Sequence, residues 1–187
     1  MKYYIIAGEA SGDLHGANLI KEIKKKDSNA IIRCWGGDLM ESEGAVIVKH
    51  IKDLAFMGFW EVLLNIKSII NNLSFCKKDI IEFSPDAIVY IDYPGFNLRI
   101  AKWAKNFSFN NHYYISPQVW AWKESRVKIL KECLNNLYVI LPFEKKYFNE
   151  KHSLNVEYVG HPLVEHLLKL KKDNLFIEKY NLDREKE

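Results

Sequence analysis

Several features that would assign a function directly are missing from this chain of 187 residues. Its three cysteines show no Cys-x-x-Cys spacing, so neither a disulfide framework nor a zinc site is indicated, and a reducing cytosol fits best. Lysine and arginine outnumber aspartate and glutamate only by 27 to 24, too small an excess to indicate nucleic-acid binding. The N-terminal apolar run, residues 3–7, is too short for a signal peptide or a membrane span. We therefore expect a protein that is neither exported nor membrane-spanning and that has no nucleic-acid partner.

The common nucleotide-binding motifs are missing as well. No Gly-x-Gly-x-x-Gly follows the first apolar run, and no Gly-Lys-Ser/Thr marks a P-loop. The second apolar run, residues 31–35, leads into Gly36 and Gly37 instead of the acidic residue that would bind a ribose. The segment that follows the first apolar run is therefore neither a dinucleotide-binding fingerprint nor a P-loop.

Short apolar runs alternate with helical stretches, which predicts a parallel sheet in a Rossmann-like, doubly wound α/β fold. The predicted strands are residues 3–7, 31–35, 45–48, 87–91, 112–115, 137–140 and 156–159. The predicted helices are residues 12–25, 60–82, 98–106, 123–134, 143–150 and 164–172. Right-handed crossovers would place the ends of the first, fourth and fifth strands along one edge, where ligands of such folds bind.

The first strand leads into a glycine-rich segment, residues 8–16, which we interpret as part of the ligand site. Glycine allows a ligand to approach the main chain, and a helix N-terminus offers N–H groups to an anion or a sugar. The candidate binding residues in this segment are Gly8, Glu9, Ser11, Gly12 and Asp13. An ordinary strand-to-helix turn is the alternative.

The fourth and fifth strands bring further polar residues to the same edge. Asp92 directly follows the fourth strand and is a candidate general base, or else it caps the turn that follows. Asn97 fits the N-cap of the next helix and is also a candidate binding residue. The fifth strand leads into a segment with three candidate binding residues, Ser116, Gln118 and Trp120. An indole there either stacks on a sugar ring or fills the core.

Six motifs, in order along the chain, resemble the lipid-A-disaccharide synthase family. They are Gly-Glu-Ala-Ser-Gly-Asp-Leu-His-Gly-Ala (8–17), Met-Gly-Phe-Trp-Glu-Val-Leu (57–63), Ile-Asp-Tyr-Pro-Gly-Phe-Asn (91–97), Ser-Pro-Gln-Val-Trp-Ala-Trp (116–122), Leu-Pro-Phe-Glu (141–144) and Gly-His-Pro-Leu (160–163). The resemblance covers essentially the whole chain, but only the N-terminal half of the family's usual length.

The resemblance implies the N-terminal domain of an inverting GT-B glycosyltransferase of lipid A biosynthesis. Such an enzyme joins UDP-2,3-diacylglucosamine to 2,3-diacylglucosamine 1-phosphate (lipid X) through a β-1,6 bond and releases UDP, without a metal or other cofactor. The N-terminal domain mainly holds the acceptor. We therefore expect residues 1–162 to be the acceptor-binding domain and residues 163–187 to be a linker helix and the start of the nucleotide-sugar domain. The isolated chain should then be inactive.

The resemblance also assigns roles to single residues. The family's essential aspartate falls at Asp92, our first choice for the base that takes the proton from the acceptor 6-hydroxyl. His15, which titrates near neutrality, is the second choice, unless it only bonds the backbone of its own helix. His161 is expected near the cleft, or else is a turn residue without a catalytic task. Family members often carry aspartate at the position of Gly95, so an acid pair with Asp92 is lost here.

The segment 56–73 carries apolar side chains over more than one helical face, a wider arc than one-sided burial requires. Because both implied substrates are acylated, we expect this segment to dock on the cytoplasmic face of the inner membrane of a Gram-negative bacterium. The candidate membrane and acyl-chain residues are Met57, Phe59, Trp60, Leu63, Ile66 and Ile70. Burial of the helix between the sheet and its neighbours is the alternative.

Two other function classes stay open at this point. One is a different GT-B sugar transferase whose N-terminal half has similar loops. The other is a lipid-binding domain without catalytic activity. The six ordered motifs together with the apolar segment favour the synthase.

Overall fold

The computed structural model describes residues 1–54, 66–107 and 109–169, in which seven parallel strands form one sheet with helices on both faces. The strands run in the order β3-β2-β1-β4-β5-β6-β7 across the sheet. They are β1 (Lys2–Ala7), β2 (Ile31–Gly36), β3 (Val46–His50), β4 (Ala87–Ile91), β5 (Asn110–Tyr114), β6 (Asn136–Val139) and β7 (Glu157–Tyr158). The predicted Rossmann-like, doubly wound fold is confirmed.

Four of the described helices begin one to four residues earlier than the sequence predicted. The helices are α1 (Ala10–Lys26), α2 (Asp38–Ser42), α3 (Ile66–Phe83), α4 (Pro94–Ala104), α5 (Arg126–Cys133), α6 (Pro142–Lys146), which continues into a π-helical turn (Tyr147–Lys151), and α7 (Pro162–Lys169). Helix α4 starts at Pro94, because proline suits the first helical position. Asn97 therefore lies inside the first turn, and its prediction as the N-cap is wrong.

The central strands are buried on both sides. On β1, Tyr4 and Ile6 pack into a core shared with α3, α4 and α5, whereas Ile5 and Ala7 pack into a second core with α1 and α2. Successive residues of a strand point to opposite faces, so burial of both faces requires an unbroken apolar run. This is why the strands were visible in the sequence.

The strand order reverses between β1 and β4: β2 and β3 lie on one side of β1, and β4 to β7 lie on the other. Ligands of doubly wound folds bind at this switch point. The register pairs Ala7 of β1 with Ile91 of β4, and Ile91 with Tyr114 of β5. The segments that follow these three strands therefore leave the sheet at the same level. The topology places Gly8 and Asp92 side by side at the candidate ligand edge.

A buried polar network fastens α3 to the sheet. The carboxylate of Asp79, 5% exposed, accepts a hydrogen bond from the Tyr4 hydroxyl at 2.7 Å and forms an ion pair with Arg33 at 2.8 Å. The Trp35 indole N–H donates to the same Tyr4 hydroxyl at 3.0 Å. One carboxylate thus connects β1, β2 and α3.

Replacing Asp79 with alanine should lower the free energy of unfolding by about 2–4 kcal/mol, because the Arg33 charge and the Tyr4 hydroxyl lose their buried partner. Urea unfolding measures this loss. The matched control is Asp53→Ala, which breaks an exposed ion pair with Lys49 (3.3 Å) and should cost less than about 1 kcal/mol. Equal losses in the two variants would show that the network does not hold α3.

Candidate functional site

A strained turn carries the chain from β4 into α4. Asp92 and Tyr93 both adopt left-handed backbone angles, with φ of 41° and 48°. Such angles are costly for residues other than glycine and persist only where neighbouring groups impose them. Here the Asp92 carbonyl accepts hydrogen bonds from the Asn97 side-chain amide at 2.7 Å and from the Tyr113 hydroxyl at 2.6 Å. These two side chains clamp the turn and fix where the Asp92 carboxyl group lies.

Asp92 lines a cavity of about 330 Å³ at the carboxyl ends of β4, β5 and β6. The cavity brings together two predicted binding residues, the buried Ser116 and the exposed Gln118. Its volume lies at the lower end of the range for small-molecule sites, about 300–1,000 Å³. Trp122, the second indole of the 116–122 motif, also lines it, and so do three residues that the sequence analysis did not single out: Ile115, Arg126 and Glu144.

Backbone strain is concentrated around this cavity. Besides Asp92 and Tyr93, left-handed angles occur at Ile115 (φ 67°) and Lys123 (φ 55°). A β-branched residue such as isoleucine is rarely found in this region, because its side chain crowds the backbone. Strained residues of this kind cluster at functional sites, where the surrounding structure pre-organises the groups.

Burial raises the pKa of the Asp92 carboxyl group above its ordinary value, and a backbone hydrogen bond from Tyr93 offsets this only in part. A carboxylate with a raised pKa holds a proton more strongly than an ordinary aspartate does. This shift moves Asp92 in the direction that a general base near neutral pH requires.

The second carboxylate of the cavity, Glu144, is 1% exposed, and both of its oxygens accept hydrogen bonds from within the protein. One oxygen accepts the indole N–H of Trp120 at 3.2 Å. The other accepts the backbone N–H groups of Ile140 at 3.2 Å and Leu141 at 2.9 Å. Glu144 therefore shapes the cavity wall, and Trp120 is oriented by it. Trp122, the second indole of the motif, is the one that lines the cavity.

Gly8 brings the β1–α1 connection against the β4–α4 turn. A β-carbon at position 8 would overlap the ring of Tyr93, so only glycine fits there. Burial raises the pKa of the Tyr93 hydroxyl, and the negative charge of Glu9 raises it further, which places Glu9 close to this ring. Gly8 and Glu9 thus adjoin the Asp92 turn, as the sequence analysis expected of neighbouring strand ends.

The rest of the glycine-rich segment is helical and serves packing. Gly12 lies against Ala7, and Gly16 lies where a β-carbon would overlap Met40. The buried carboxylate of Asp13 accepts three backbone N–H groups around the start of α2, from Gly37, Leu39 and Met40, at 2.7–3.1 Å. Gly12 and Asp13 therefore hold α1 against the sheet and α2, and the geometry gives them no free group for a ligand.

Three predicted residues lie elsewhere. Ser11 is exposed in the first turn of α1, and His15 is half-buried in the second turn; neither lines the Asp92 cavity. His161 accepts the Leu163 backbone N–H at 3.3 Å and lines a separate cavity beside α1 and α7. The amide of Asn97 is fully buried and bonds main-chain carbonyls of β1 and β4, so its role is to support the site.

The predicted membrane segment lies mostly outside the described residues. This applies to Met57, Phe59, Trp60 and Leu63, and Ile66 is described only as the first residue of α3. Ile70 on α3 is 56% exposed. Within the described ranges, no helix is long and apolar enough to cross a membrane. No group of three or more potential metal ligands comes together among these residues either.

The chain is similar to one protein family over nearly its whole length. Residues 3–187 match the family model described as lipid-A-disaccharide synthetase. The lipid-A-disaccharide synthase of Coxiella burnetii is 36% identical over 182 residues, which are 97% of this chain and 48% of that protein. The synthase of Geobacter metallireducens is 41% identical over 161 residues, 86% of this chain and 42% of that protein. The chain spans about half the length of the curated relatives it matches.

Solved structures share the fold at low sequence identity. The UDP-GlcNAc 2-epimerase of Neisseria meningitidis gives a TM-score of 0.64 at 11% identity, covering 90% of this chain and 48% of that chain. The glycosyltransferase of kitacinnamycin gives a TM-score of 0.58 at 13% identity. The match covers 86% of this chain and 51% of that chain. At these identities the likeness shows the fold alone, a Rossmann-like domain of the type found in GT-B proteins.

The raised pKa of Asp92 predicts a pH-dependent stability. The native state takes up the Asp92 proton more readily than the unfolded chain, so this group lowers stability as pH rises above the ordinary aspartate pKa of about 3.9. The asparagine side chain introduced by Asp92→Asn stays neutral at every pH and tolerates left-handed angles. The variant should therefore be more stable than the parent near neutral pH, and the difference should vanish at about pH 4. Urea unfolding across this range measures it; a less stable variant at neutral pH would mean that a partner stabilises the carboxylate.

Proposed function

Because the chain belongs to the lipid-A-disaccharide synthetase family, we propose that it is the acceptor-binding half of a GT-B glycosyltransferase. The complete enzyme transfers 2,3-diacylglucosamine from UDP to lipid X, forms the β-1,6 disaccharide and releases UDP. The other half of the enzyme holds most of the nucleotide sugar, so this chain alone binds acceptor without turnover. No cofactor takes part.

The position of Asp92 carries this proposal. An inverting transfer needs a base beside the acceptor 6-hydroxyl, and Asp92 lines the cavity at the ligand edge with a raised pKa. In the proposed reaction the Asp92 carboxylate takes the hydroxyl proton while the oxygen attacks the anomeric carbon of the donor. The bond from that carbon to the UDP phosphate breaks, and UDP leaves from the opposite face.

His15 remains the second choice for the base. It lies on α1 rather than among the cavity residues, which favours Asp92. Ser116 and Gln118 are the proposed acceptor contacts inside the cavity, and Gly8 and Glu9 adjoin the Asp92 turn from the β1 side. Gly12, Asp13 and Asn97 act through the fold.

In the complete enzyme, Asp92→Asn should lower kcat by about 10²–10⁴-fold, the usual worth of a positioned general base, with little change in acceptor binding. His15→Ala should reduce it less. Disaccharide and UDP formation from the two lipid substrates measures both. Asp86→Asn, at the opposite end of β4, is the matched control and should stay active. A larger loss for His15→Ala at unchanged stability would exchange the two roles.

We also propose that the enzyme is peripheral on the cytoplasmic face of the inner membrane and docks through the segment 56–73. Both substrates carry acyl chains that favour the bilayer. Within the described part of this segment Ile70 is 56% exposed, and further along α3 both Phe75 and Ile81 are 46% exposed, which supports docking through apolar side chains of this helix. Lys77 and Lys78 on the same helix suit anionic lipid.

The triple change of Trp60, Leu63 and Ile66 to serine should reduce binding to anionic liposomes without unfolding the chain. Each large side chain fully buried in the membrane interface contributes roughly 1.5–3 kcal/mol, and less when only partly buried. Liposome co-sedimentation and urea unfolding measure the two effects. Val46→Ser removes an apolar side chain that is 61% exposed on β3 and should not affect binding. An unfolded triple variant, or one that binds like the parent, would place docking elsewhere.

A further inference from the structure

Arg126 supplies a positive charge at the Asp92 cavity that pairs with no carboxylate among the described residues. This half-buried residue begins α5 and lines the cavity. Among the described residues, no carboxylate lies within ion-pair distance of its guanidinium, although Asp92 and Glu144 line the same cavity. Both Glu144 oxygens already accept N–H groups. A guanidinium that lines a cavity without a carboxylate partner is available to an anion from outside the chain.

An exposed indole lies under this charge. The Arg126 guanidinium carbon lies 5.4 Å from the ring centroid of Trp122, and the Lys123 ammonium lies 4.2 Å from it. Trp122 is 60% exposed and also lines the cavity. Cation–π contacts hold the guanidinium in place without neutralising it. The cavity lip therefore combines an aromatic face with two positive charges.

The charge of Arg126 reaches the Asp92 turn. Burial raises the pKa of the Tyr113 hydroxyl, and Arg126 is one of the groups that lower it again. That hydroxyl donates to the Asp92 carbonyl at 2.6 Å. A ligand anion bound by Arg126 would consequently lie in the same cavity as the Asp92 carboxyl group.

We propose that Arg126 binds the phosphate of a sugar 1-phosphate acceptor, with the sugar ring supported by Trp122. A guanidinium can form two parallel hydrogen bonds to a phosphate, and its charge offsets the repulsion between that phosphate and the cavity carboxylates. The cavity volume, about 330 Å³, suits one phosphorylated sugar head group rather than a whole nucleotide sugar. This assignment rests on the proposed function and names the acceptor group that the cavity selects.

Binding to the 187-residue chain tests the assignment without turnover. Tryptophan fluorescence titrations would compare glucosamine 1-phosphate, glucosamine, inorganic phosphate and UDP-N-acetylglucosamine. Glucosamine 1-phosphate should bind about 10- to 100-fold more tightly than glucosamine, the range for a hydrogen bond to a charged group. Arg126→Gln should remove this preference and leave glucosamine binding unchanged, while Arg126→Lys should retain part of it.

The matched control is Lys128→Gln, which removes a charge from an 80% exposed side chain on the same helix and should keep the preference. Unfolding curves for all variants verify that the fold is intact. Equal binding of the two sugars, or no binding of glucosamine 1-phosphate, overturns the proposal. Arg126-dependent binding that is tighter for UDP-N-acetylglucosamine overturns it too, because the residue would then serve the donor diphosphate. If inorganic phosphate binds as tightly as glucosamine 1-phosphate, the proposed contact between the sugar ring and Trp122 is overturned.

The complete enzyme separates this proposal from the proposed function. There, Arg126→Gln should raise the acceptor KM about tenfold or more while the donor KM stays unchanged. An enzyme that forms no disaccharide, but whose N-terminal chain still shows the Arg126-dependent preference, would refute the proposed reaction and leave the phosphate site standing. Disaccharide formation by the Arg126→Gln enzyme with an unchanged acceptor KM would support the proposed reaction and refute the phosphate site.

Discussion

The hydrogen bonds that the Asp92 carbonyl accepts from Asn97 and Tyr113 are the constraint on which the candidate site depends. They hold two successive non-glycine residues in left-handed angles, which turns the chain sharply at the end of β4. The turn sets the carboxyl group at the cavity and starts α4 at once, at Pro94. The same amide of Asn97 also bonds the Ile6 carbonyl of β1 at 3.3 Å, so the switch point of the sheet and the site are fixed by one side chain.

The strands were accessible from sequence because each central strand is buried on both faces and reads as an apolar run. The displaced helix starts have more than one origin. Helix α1 begins at Ala10 rather than at Gly12; glycine is a poor helix former, yet the packing of Gly12 and Gly16 on Ala7 and Met40 outweighs that cost. The early start of α4 instead follows from the local preference of Pro94 for the first helical position. The resemblance to the synthase family, read from six motifs, is confirmed.

The candidate site was only partly visible in the sequence. Asp92 stood out because it directly follows a strand at the ligand edge. Asp13 carried the same type of signal, an acid among glycines, but its three backbone partners come from a segment more than twenty residues away. Arg126 was overlooked because a basic stretch ordinarily marks a solvated helix surface. Its position in the cavity follows from the β5–α5 connection, whose path no local pattern reveals. Glu144 could have been noticed from its place in the Leu-Pro-Phe-Glu motif.

The contact between Gly8 and the Tyr93 ring links two segments that are far apart in sequence. A β-carbon at one position and an aromatic ring at the other compete for the same space. A lineage that acquires a larger residue at position 8 therefore has to lose or move the ring at position 93. Because that ring stacks on Phe96 with centroids 5.4 Å apart, its loss would propagate into α4. Packing therefore restricts position 8 to glycine, although glycine has no side chain to offer a ligand.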